Sequence, residues 1–240
     1  MTQLQPSEIR VIVCDVFGTT VDWRSGVADQ VAAIADGRAE LDAGAFTDAW
    51  RDRYRPALQR VNQGERDWAY LDTLHRESLD DLLAEFGVAD AFDEQARQRL
   101  VLAWHRLPAW DDSVAGLARL RDRYVTATLS NGGFALLTHL VKAAGLPFDC
   151  ILSAELARAY KPTADVYLTA ARLLDVEPAE VLLVAAHKWD IIGARDAGLR
   201  TAFLHRPTEK GPDRVADAPG DVASDLSVAG FHELAETMGC

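Results

Sequence analysis

Short apolar runs that alternate with helical patterns constrain the fold of this 240-residue chain more than any other feature. Five runs have the pattern of buried strands, at residues 9–16, 124–129, 150–153, 181–186 and 201–205. Helical patterns separate the last four of them, which is typical of right-handed βαβ units and a parallel sheet. The sequence therefore predicts an α/β fold built on a Rossmann-like, doubly wound parallel sheet.

The stretch between the first two strands has a different pattern. From about residue 21 to residue 100 it is rich in Ala, Leu, Arg, Asp and Glu, with apolar residues at helical spacing and no strand-like run. We predict roughly four helices here. They form an inserted helical cap domain over residues 21–100, and residues 1–20 and 101–240 form the core domain.

Composition argues against several classes of protein. The net charge of −12 disfavours a nucleic-acid-binding surface. Cys14, Cys150 and Cys240 are widely spaced, so they suggest neither a zinc site nor a redox dithiol. No run approaches a membrane span, and the first ten residues lack the apolar stretch of a signal peptide. We expect a cytoplasmic enzyme with no nucleic-acid or membrane partner; the oligomeric state stays open, a homodimer included.

Reactive side chains cluster in four short segments beside the strand-like runs. In an open parallel sheet, ligands bind outside the carboxyl ends of the strands. The residues that this rule brings to one pocket are Asp15, Ser130, Asn131, Lys161 and Asp190. Asp15 ends a buried strand, and Gly18 lets the chain turn tightly behind it. A carboxylate so placed can act as a covalent nucleophile, whereas the alternative for Asp15 alone is a turn cap.

This order of segments resembles the haloacid dehalogenase superfamily. Its signature is a strand, a nucleophilic Asp, a Gly-Thr turn, and then Ser/Thr, Lys and acidic motifs. The resemblance covers nearly the whole chain, cap included. It implies that Asp15 is the nucleophile, with Ser130, Lys161 and Asp190 as the second, third and fourth motifs.

Two departures from the superfamily's magnesium phosphatases bear on function. Those enzymes carry a second Asp two residues after the nucleophile and another acid in the fourth motif, where this chain has Phe17 and Ala186. Magnesium prefers oxygen ligands, and phosphoryl transfer needs charge compensation. A phosphatase of a small phosphorylated metabolite is thus the first alternative. A non-catalytic binding protein of the same fold is the second, and the joint presence of Asp15, Lys161 and Asp190 counts against it.

The same positions resemble the 2-haloacid dehalogenase branch. That branch has an aromatic residue two positions after the nucleophile and often a Trp before the last Asp, as Phe17 and Trp189 are here. Trp50-Arg51 looks like its Trp-Arg pair, whose guanidinium faces the departing halide. The resemblance implies hydrolysis of short 2-haloalkanoic acids (haloacetate or L-2-haloacid) to 2-hydroxy acids through an ester on Asp15. Neither metal nor cofactor is expected, and the small-molecule partners are the 2-haloacid and the halide ion.

Each role in that chemistry has a candidate. Ser130 and the turn amides of Phe17 and Gly18 would bind the substrate carboxylate. Arg51 with Asn131 would stabilise the halide, since Arg is always charged, and Arg55 is the substitute. Lys161 would keep Asp15 ionised. Two aromatic residues complete the predicted substrate site: Tyr167 and Trp189.

The base that activates water against the ester has two candidates. The resemblance indicates Asp190, although this residue can instead orient Lys161. His187 stands where the branch often has Asn, and a histidine titrates near neutrality. We predict that His187 is the base and that Asp22 orients it. The alternative is that His187 is a hydrogen-bonded pocket histidine.

Overall fold

The computed structural model describes residues 4–240 and contains one six-stranded, fully parallel sheet. Its strands are β1 (Val11–Cys14), β2 (Val125–Ser130), β3 (Cys150–Ser153), β4 (Val181–Ala185), β5 (Arg200–Leu204) and β6 (Leu226–Val228). Their order across the sheet is β3-β2-β1-β4-β5-β6. The predicted parallel α/β sheet is confirmed, and five of its strands match the sequence pattern. The short strand β6 was not predicted.

Strands β1 and β4 lie at the centre of the sheet and are buried along their whole length. Their runs of Val, Ile and Leu suit parallel strands whose two faces are both covered by helices. Cys14, the last residue of β1, pairs with Thr128 of β2 on one side and Val184 of β4 on the other. The next residue, Asp15, is therefore placed at the carboxyl edge of the sheet, where the connections diverge to opposite sides.

Helices connect and cover these strands. They are α5 (Ser113–Arg121), α6 (Phe134–Ala144), α7 (Ala164–Leu173), α8 (Lys188–Asp196) and α9 (Phe231–Thr237). Helix α5 packs against α9, and α8 packs against β4 and β5. Gly116 of α5 allows the close approach of α9, because a Cβ there would lie 2.8 Å from the backbone carbon of Phe231.

Four helices occupy the stretch between β1 and α5. They are α1 (Trp23–Ala35), α2 (Ala43–Asn62), α3 (Leu71–Glu85) and α4 (Glu94–Val101). At the start of three of them, an aspartate side chain accepts a backbone N–H: Asp22 at α1, Asp42 at α2 and Asp93 at α4. Such a cap stabilises a helix by about 1 kcal/mol. Within the described chain, no helix combines the length and apolarity that crossing a bilayer requires.

Helix α2 extends over the carboxyl edge of the sheet. Near its end, the Asn62 amide donates to the Tyr160 carbonyl (2.8 Å) and accepts the Tyr160 N–H (2.9 Å). Earlier in the same helix, Trp50 packs edge-on against Trp104, with 5.6 Å between the ring centres. The helical layer is thus fixed to the segments that carry the strand-end residues.

The long connection between β5 and β6 also folds over this edge. The Arg206 guanidinium donates to the Thr19 carbonyl (3.0 Å), and Asp217 accepts the Lys188 N–H (2.9 Å). Arg214 forms an ion pair with Asp52 of α2 at 2.6 Å. We call residues 205–225 the β5–β6 loop; it bridges the sheet edge and the helical layer.

Candidate active site

Asp15 is a buried carboxylate whose two oxygens have different surroundings. Its Oδ2 accepts a hydrogen bond from Thr19 Oγ1 (2.9 Å) and faces His187 Nδ1 (3.1 Å). Its Oδ1 faces Lys161 Nζ at 3.5 Å. Burial opposes ionisation, but Lys161 and His187 together keep the pKa of the Asp15 carboxyl below its ordinary value. Asp15 is therefore an anion at neutral pH, with Oδ1 the less engaged oxygen.

Lys161 lies between two carboxylates. Its ammonium donates to Asp190 Oδ2 at 2.6 Å, and the Tyr167 hydroxyl donates to Asp190 Oδ1, also at 2.6 Å. Burial raises the pKa of Asp190, while the Lys161 and Tyr167 contacts oppose that rise. Because both oxygens of Asp190 are engaged, this carboxylate is placed to orient Lys161 against Asp15.

His187 lies between Asp15 and a second carboxylate, Glu209. Its Nε2 is 3.0 Å from Glu209 Oε1, which also accepts the indole N–H of Trp23 at 2.8 Å. Glu209 is buried in the β5–β6 loop. The Trp189 ring stacks on the imidazole, with 5.6 Å between the ring centres. His187 therefore has a fixed position, and both of its ring nitrogens face carboxylate oxygens.

Arg51 places an unpaired donor in an aromatic cage. Its guanidinium carbon lies 4.2–5.9 Å from the centres of four aromatic rings, those of Tyr54, Trp23, Phe17 and Trp104. Nη1 of Arg51 is buried and has no hydrogen-bond partner among residues 4–240. Asn131 has the same property at Nδ2, while its Oδ1 accepts the Lys161 N–H (2.8 Å). Two unsatisfied buried donors are a site for an acceptor that the protein itself does not supply.

Donors for a substrate carboxylate lie at the ends of β1 and β2. Ser130 is fully buried, and its hydroxyl oxygen only accepts a long bond from the Gly132 N–H (3.4 Å), so its own hydrogen is free to donate. The Gly18 N–H is not free, because it donates to the Val21 carbonyl at 3.0 Å. The Phe17 N–H has no backbone partner among the described residues.

Two cavities open onto part of this cluster. One, of about 570 Å³, is lined by Arg51, His187 and Glu209 among others. The other, of about 410 Å³, is lined by Asn131 and Lys161 among others. Three side chains line both cavities: Tyr54, Arg55 and Trp189. The guanidinium of Arg55 in α2 lies over the ring of Trp189 in α8, 4.9 Å from its centre. This contact joins the helical layer to the sheet edge, and both of its residues line the two cavities.

Three sequence-based assignments are wrong in detail. Asp22 does not orient His187; its side chain accepts the Ser25 N–H at the start of α1. Tyr167 does not reach either cavity, since its hydroxyl is directed to Asp190 inside the protein. The Gly18 amide is occupied by the turn itself, as described above. The other residues assigned to the site from the sequence all converge at this edge of the sheet.

Two residues of the cluster were missed. Thr19 belongs to the turn after the nucleophile, and its hydroxyl accepts the Ala186 N–H (3.0 Å) while donating to Asp15. Its place in the turn just after the nucleophile could have predicted this contact from the sequence. Glu209 lies in a Pro- and Gly-containing loop with no motif, so the sequence carried no signal for it.

Gly18 is required by both its backbone conformation and its neighbours. Its φ of +87° favours glycine, and a Cβ would lie 2.8 Å from Cγ of Glu209. We expect Gly18→Ala to lower the melting temperature by roughly 4–10 °C, from strain and a clash of about 2–3 kcal/mol. Gly37→Ala is the matched control, since φ there is +69° with no atom within 4 Å of the new Cβ. Equal shifts in the two variants would show that the Glu209 contact adds nothing.

Comparison with known proteins agrees with this geometry. Residues 9–198 match the family model of haloacid dehalogenase-like hydrolases. The (S)-2-haloacid dehalogenase 1 of Pseudomonas sp. (strain CBS-3) is 33% identical over 215 residues, covering 88% of this chain and 90% of that one. A defluorinating L-2-haloacid dehalogenase superposes with a TM-score of 0.95 at 39% identity over the whole of both chains. The L-2-haloacid dehalogenase of Xanthobacter autotrophicus with chloropropionic acid covalently bound has a TM-score of 0.80 at 28% identity, covering 95% and 97%.

Proposed function

Since this chain belongs to the haloacid dehalogenase-like hydrolase family, we propose that it hydrolyses short 2-haloalkanoic acids to 2-hydroxy acids through an ester on Asp15, without a metal. The observation that carries the proposal is one arrangement of charges. An ionised carboxylate lies beside Lys161, and two buried donors have no hydrogen-bond partner among residues 4–240; they belong to Arg51 and Asn131, which line the two cavities. The named 2-haloacid dehalogenases among its relatives support the same substrate class.

Asp15 Oδ1 is the attacking oxygen. The other oxygen is engaged by Thr19 and His187, whereas Oδ1 faces only Lys161 at the longer distance of 3.5 Å. Attack by Oδ1 on the carbon next to the substrate carboxylate forms a C–O bond as the carbon–halogen bond breaks, and it inverts that carbon. Oδ2 then becomes the ester carbonyl oxygen, and the Thr19 hydroxyl polarises it for attack by water.

The substrate carboxylate fits the donors at the strand ends. The Ser130 hydroxyl and the Phe17 N–H are free to donate there, which would hold the acid group while the reacting carbon faces Asp15. The halide is assigned to the other two free donors. Arg51 Nη1 and Asn131 Nδ2 would donate to the departing anion, and the surrounding aromatic rings exclude water from it.

Positive charge beside the nucleophile comes from side chains. Lys161 and His187 contact the two oxygens of Asp15, while Phe17 and Ala186 occupy positions where the family's phosphatases carry acidic residues. A dianionic phosphoryl group would thus meet Asp15 without the acid ligands that hold magnesium. The residues present suit a monoanionic haloacid better.

The first experiment is a substrate panel with and without a metal chelator. Chloroacetate, bromoacetate, fluoroacetate and both enantiomers of 2-chloropropionate are the substrates; fluoroacetate is included because one structural neighbour is a defluorinating enzyme. We expect equal amounts of halide and hydroxy acid, an inverted product from L-2-chloropropionate, and rates unchanged by the chelator. A requirement for added magnesium, together with hydrolysis of p-nitrophenyl phosphate, would support the phosphatase alternative instead.

A further inference from the structure

Glu209 is a buried carboxylate in contact with His187, and neither halide displacement nor substrate binding uses it. Its side chain is 2% exposed. Its Oε1 accepts a hydrogen bond from Trp23 Nε1 and lies 3.0 Å from His187 Nε2. Its Oε2 is buried without a partner among residues 4–240. Both Glu209 and His187 line the cavity of about 570 Å³ that also contains Arg51. Solvent in that cavity therefore has access to the pair.

The geometry makes His187 a cation in the resting enzyme. Nδ1 faces Asp15 and Nε2 faces Glu209, so a neutral imidazole would direct one nitrogen lone pair at a carboxylate oxygen. Burial disfavours the charged ring, but Glu209 and Asp15 outweigh it and raise the pKa of His187 to about 10. A doubly protonated ring cannot accept a proton, so His187 is not a base while Asp15 is ionised.

Esterification of Asp15 changes this balance. The ester is neutral, so Nδ1 no longer faces an anion, whereas Nε2 still faces Glu209. Two nearby cations, Lys161 beside Asp15 and Arg51 near Glu209, favour loss of a proton from His187. The rest of the surroundings carries both signs of charge: Asp190 is paired with Lys161, and the cavity is also lined by Asp52, Arg55, Lys188, Lys210, Arg214 and Asp217. Glu209 itself stays ionised, since its pKa is lowered to about 2: burial opposes this, but the His187, Arg51 and Trp23 contacts outweigh it.

We propose that Glu209 is a positioning residue that holds the Nε2–H of His187, so that the ring becomes a base at Nδ1 only once Asp15 has been esterified. This inference rests on the proposed function and deepens it. It replaces Asp22, the partner predicted from the sequence, with a residue of the β5–β6 loop. In other catalytic His–carboxylate pairs, the carboxylate likewise fixes the tautomer and the orientation of the histidine base.

Protons and bonds balance over one catalytic cycle. After halide departs, the Nδ1 proton passes to solvent and His187 becomes neutral. Water then adds to Cγ of the Asp15 ester and gives one proton to Nδ1. The bond between Cγ and Oδ1 then breaks, and Oδ1 leaves with the substrate carbon as an alkoxide. The alkoxide takes that proton from Nδ1 to form the 2-hydroxy acid. Asp15 is left as a carboxylic acid whose proton passes to His187, which restores the resting anion and cation. Each cycle releases one halide and one proton.

The test compares Glu209→Gln with Asp213→Asn. Glutamine keeps the shape and can still accept from Trp23, while Asp213 is an exposed carboxylate of the same loop and loses the same charge. In Glu209→Gln we expect a halide burst of about one equivalent at a near-normal rate, followed by ester hydrolysis slowed about 10- to 100-fold. Asp213→Asn should match the wild type in both steps.

The pH dependence distinguishes positioning from a merely structural role. Hydrolysis needs the neutral ring, so its rate falls as the pH drops through the pKa of His187 in the ester. Removing the Glu209 charge lowers the pKa of His187 in the ester. The pH at which hydrolysis slows on the acid side (the acid limb) therefore moves down, even though the maximum rate reached at higher pH is smaller. In ¹⁵N-histidine NMR of the resting enzyme, the His187 pKa should fall in Glu209→Gln and stay unchanged in Asp213→Asn.

A second measurement uses the wild type alone and so does not depend on the folding of any variant. In a weakly buffered single turnover near pH 8, an indicator dye should report one proton released with the halide, before the hydroxy acid appears. Release of the proton only together with the hydroxy acid would overturn the inference. It would also be overturned if Glu209→Gln hydrolysed the ester at the wild-type rate with the wild-type pH dependence. Absence of any halide release from the wild type would instead contradict the proposed function.

Discussion

Replacing Asp15 by Asn abolishes halide release, with an expected loss of at least about 1,000-fold, because a neutral amide is a poor nucleophile at carbon. The substitution keeps the size of the side chain, so it changes the charge beside Lys161 and His187 rather than the packing. No other carboxylate takes the same position, since both oxygens of Asp190 are engaged and Glu209 lies at the other ring nitrogen of His187.

The covalent step can be observed directly in the wild type. Protein quenched during turnover should carry a mass adduct, and fragmentation should place it on Asp15. In a single turnover in ¹⁸O-labelled water, the label should enter the Asp15 carboxylate, because water adds to Cγ, and the first product should remain unlabelled. Label in the first product would mean that water attacks the substrate itself, and the ester would then be wrong.

Asp22→Asn is the matched control for this variant. Both changes turn an aspartate of the same turn region into an amide, but the Asp22 side chain caps α1 by accepting the Ser25 N–H. Asn caps helices about as well as Asp. We therefore expect turnover within a few-fold of the wild type. A loss comparable to that of Asp15→Asn would restore Asp22 to the catalytic group predicted from the sequence.

The parts of the fold that could be predicted from the sequence are those that depend on local patterns. The apolar runs of β1 and β4 predict buried parallel strands, and the rule that ligands bind at the carboxyl ends of such strands then places Asp15 in a site. Strand β6 was missed because it has three residues, of which Ser227 is exposed, too few to show a periodic pattern.

The errors in the site share a different physical cause. Asp22 was predicted to orient His187 because it is near Asp15 in sequence. The turn between them, however, sets the direction of the Asp22 side chain, which caps its own helix α1. Glu209 reaches His187 because the β5–β6 loop folds over the sheet edge, where contacts of Arg206, Arg214 and Asp217 hold it. Contacts of this kind join residues far apart in the chain, and no pattern within the loop encodes them.

Replacing Arg51 by Lys should slow halide displacement by about 100-fold or more, the usual loss when one preorganised donor to a developing anion is removed. The guanidinium carbon lies 4.2–5.9 Å from the ring centres of Tyr54, Trp23 and Phe17, and Nη1 of Arg51 has no partner among residues 4–240. A compact ammonium on a flexible chain cannot reproduce that planar fork. Rapid-quench measurement of the halide burst isolates this step from ester hydrolysis.

Arg55→Lys is the control, because Arg55 is on the same helix, is exposed, and lies over Trp189 rather than within the aromatic cage. We expect its burst rate to change only a few-fold. Comparison of leaving groups sharpens the test: if Arg51 stabilises the departing halide, Arg51→Lys should slow chloroacetate more than bromoacetate, since chloride is the poorer leaving group and needs more stabilisation in the transition state. An equal loss for both substrates would mean that Arg51 binds the haloacid uniformly. A larger loss in Arg55→Lys than in Arg51→Lys would transfer the halide role to Arg55.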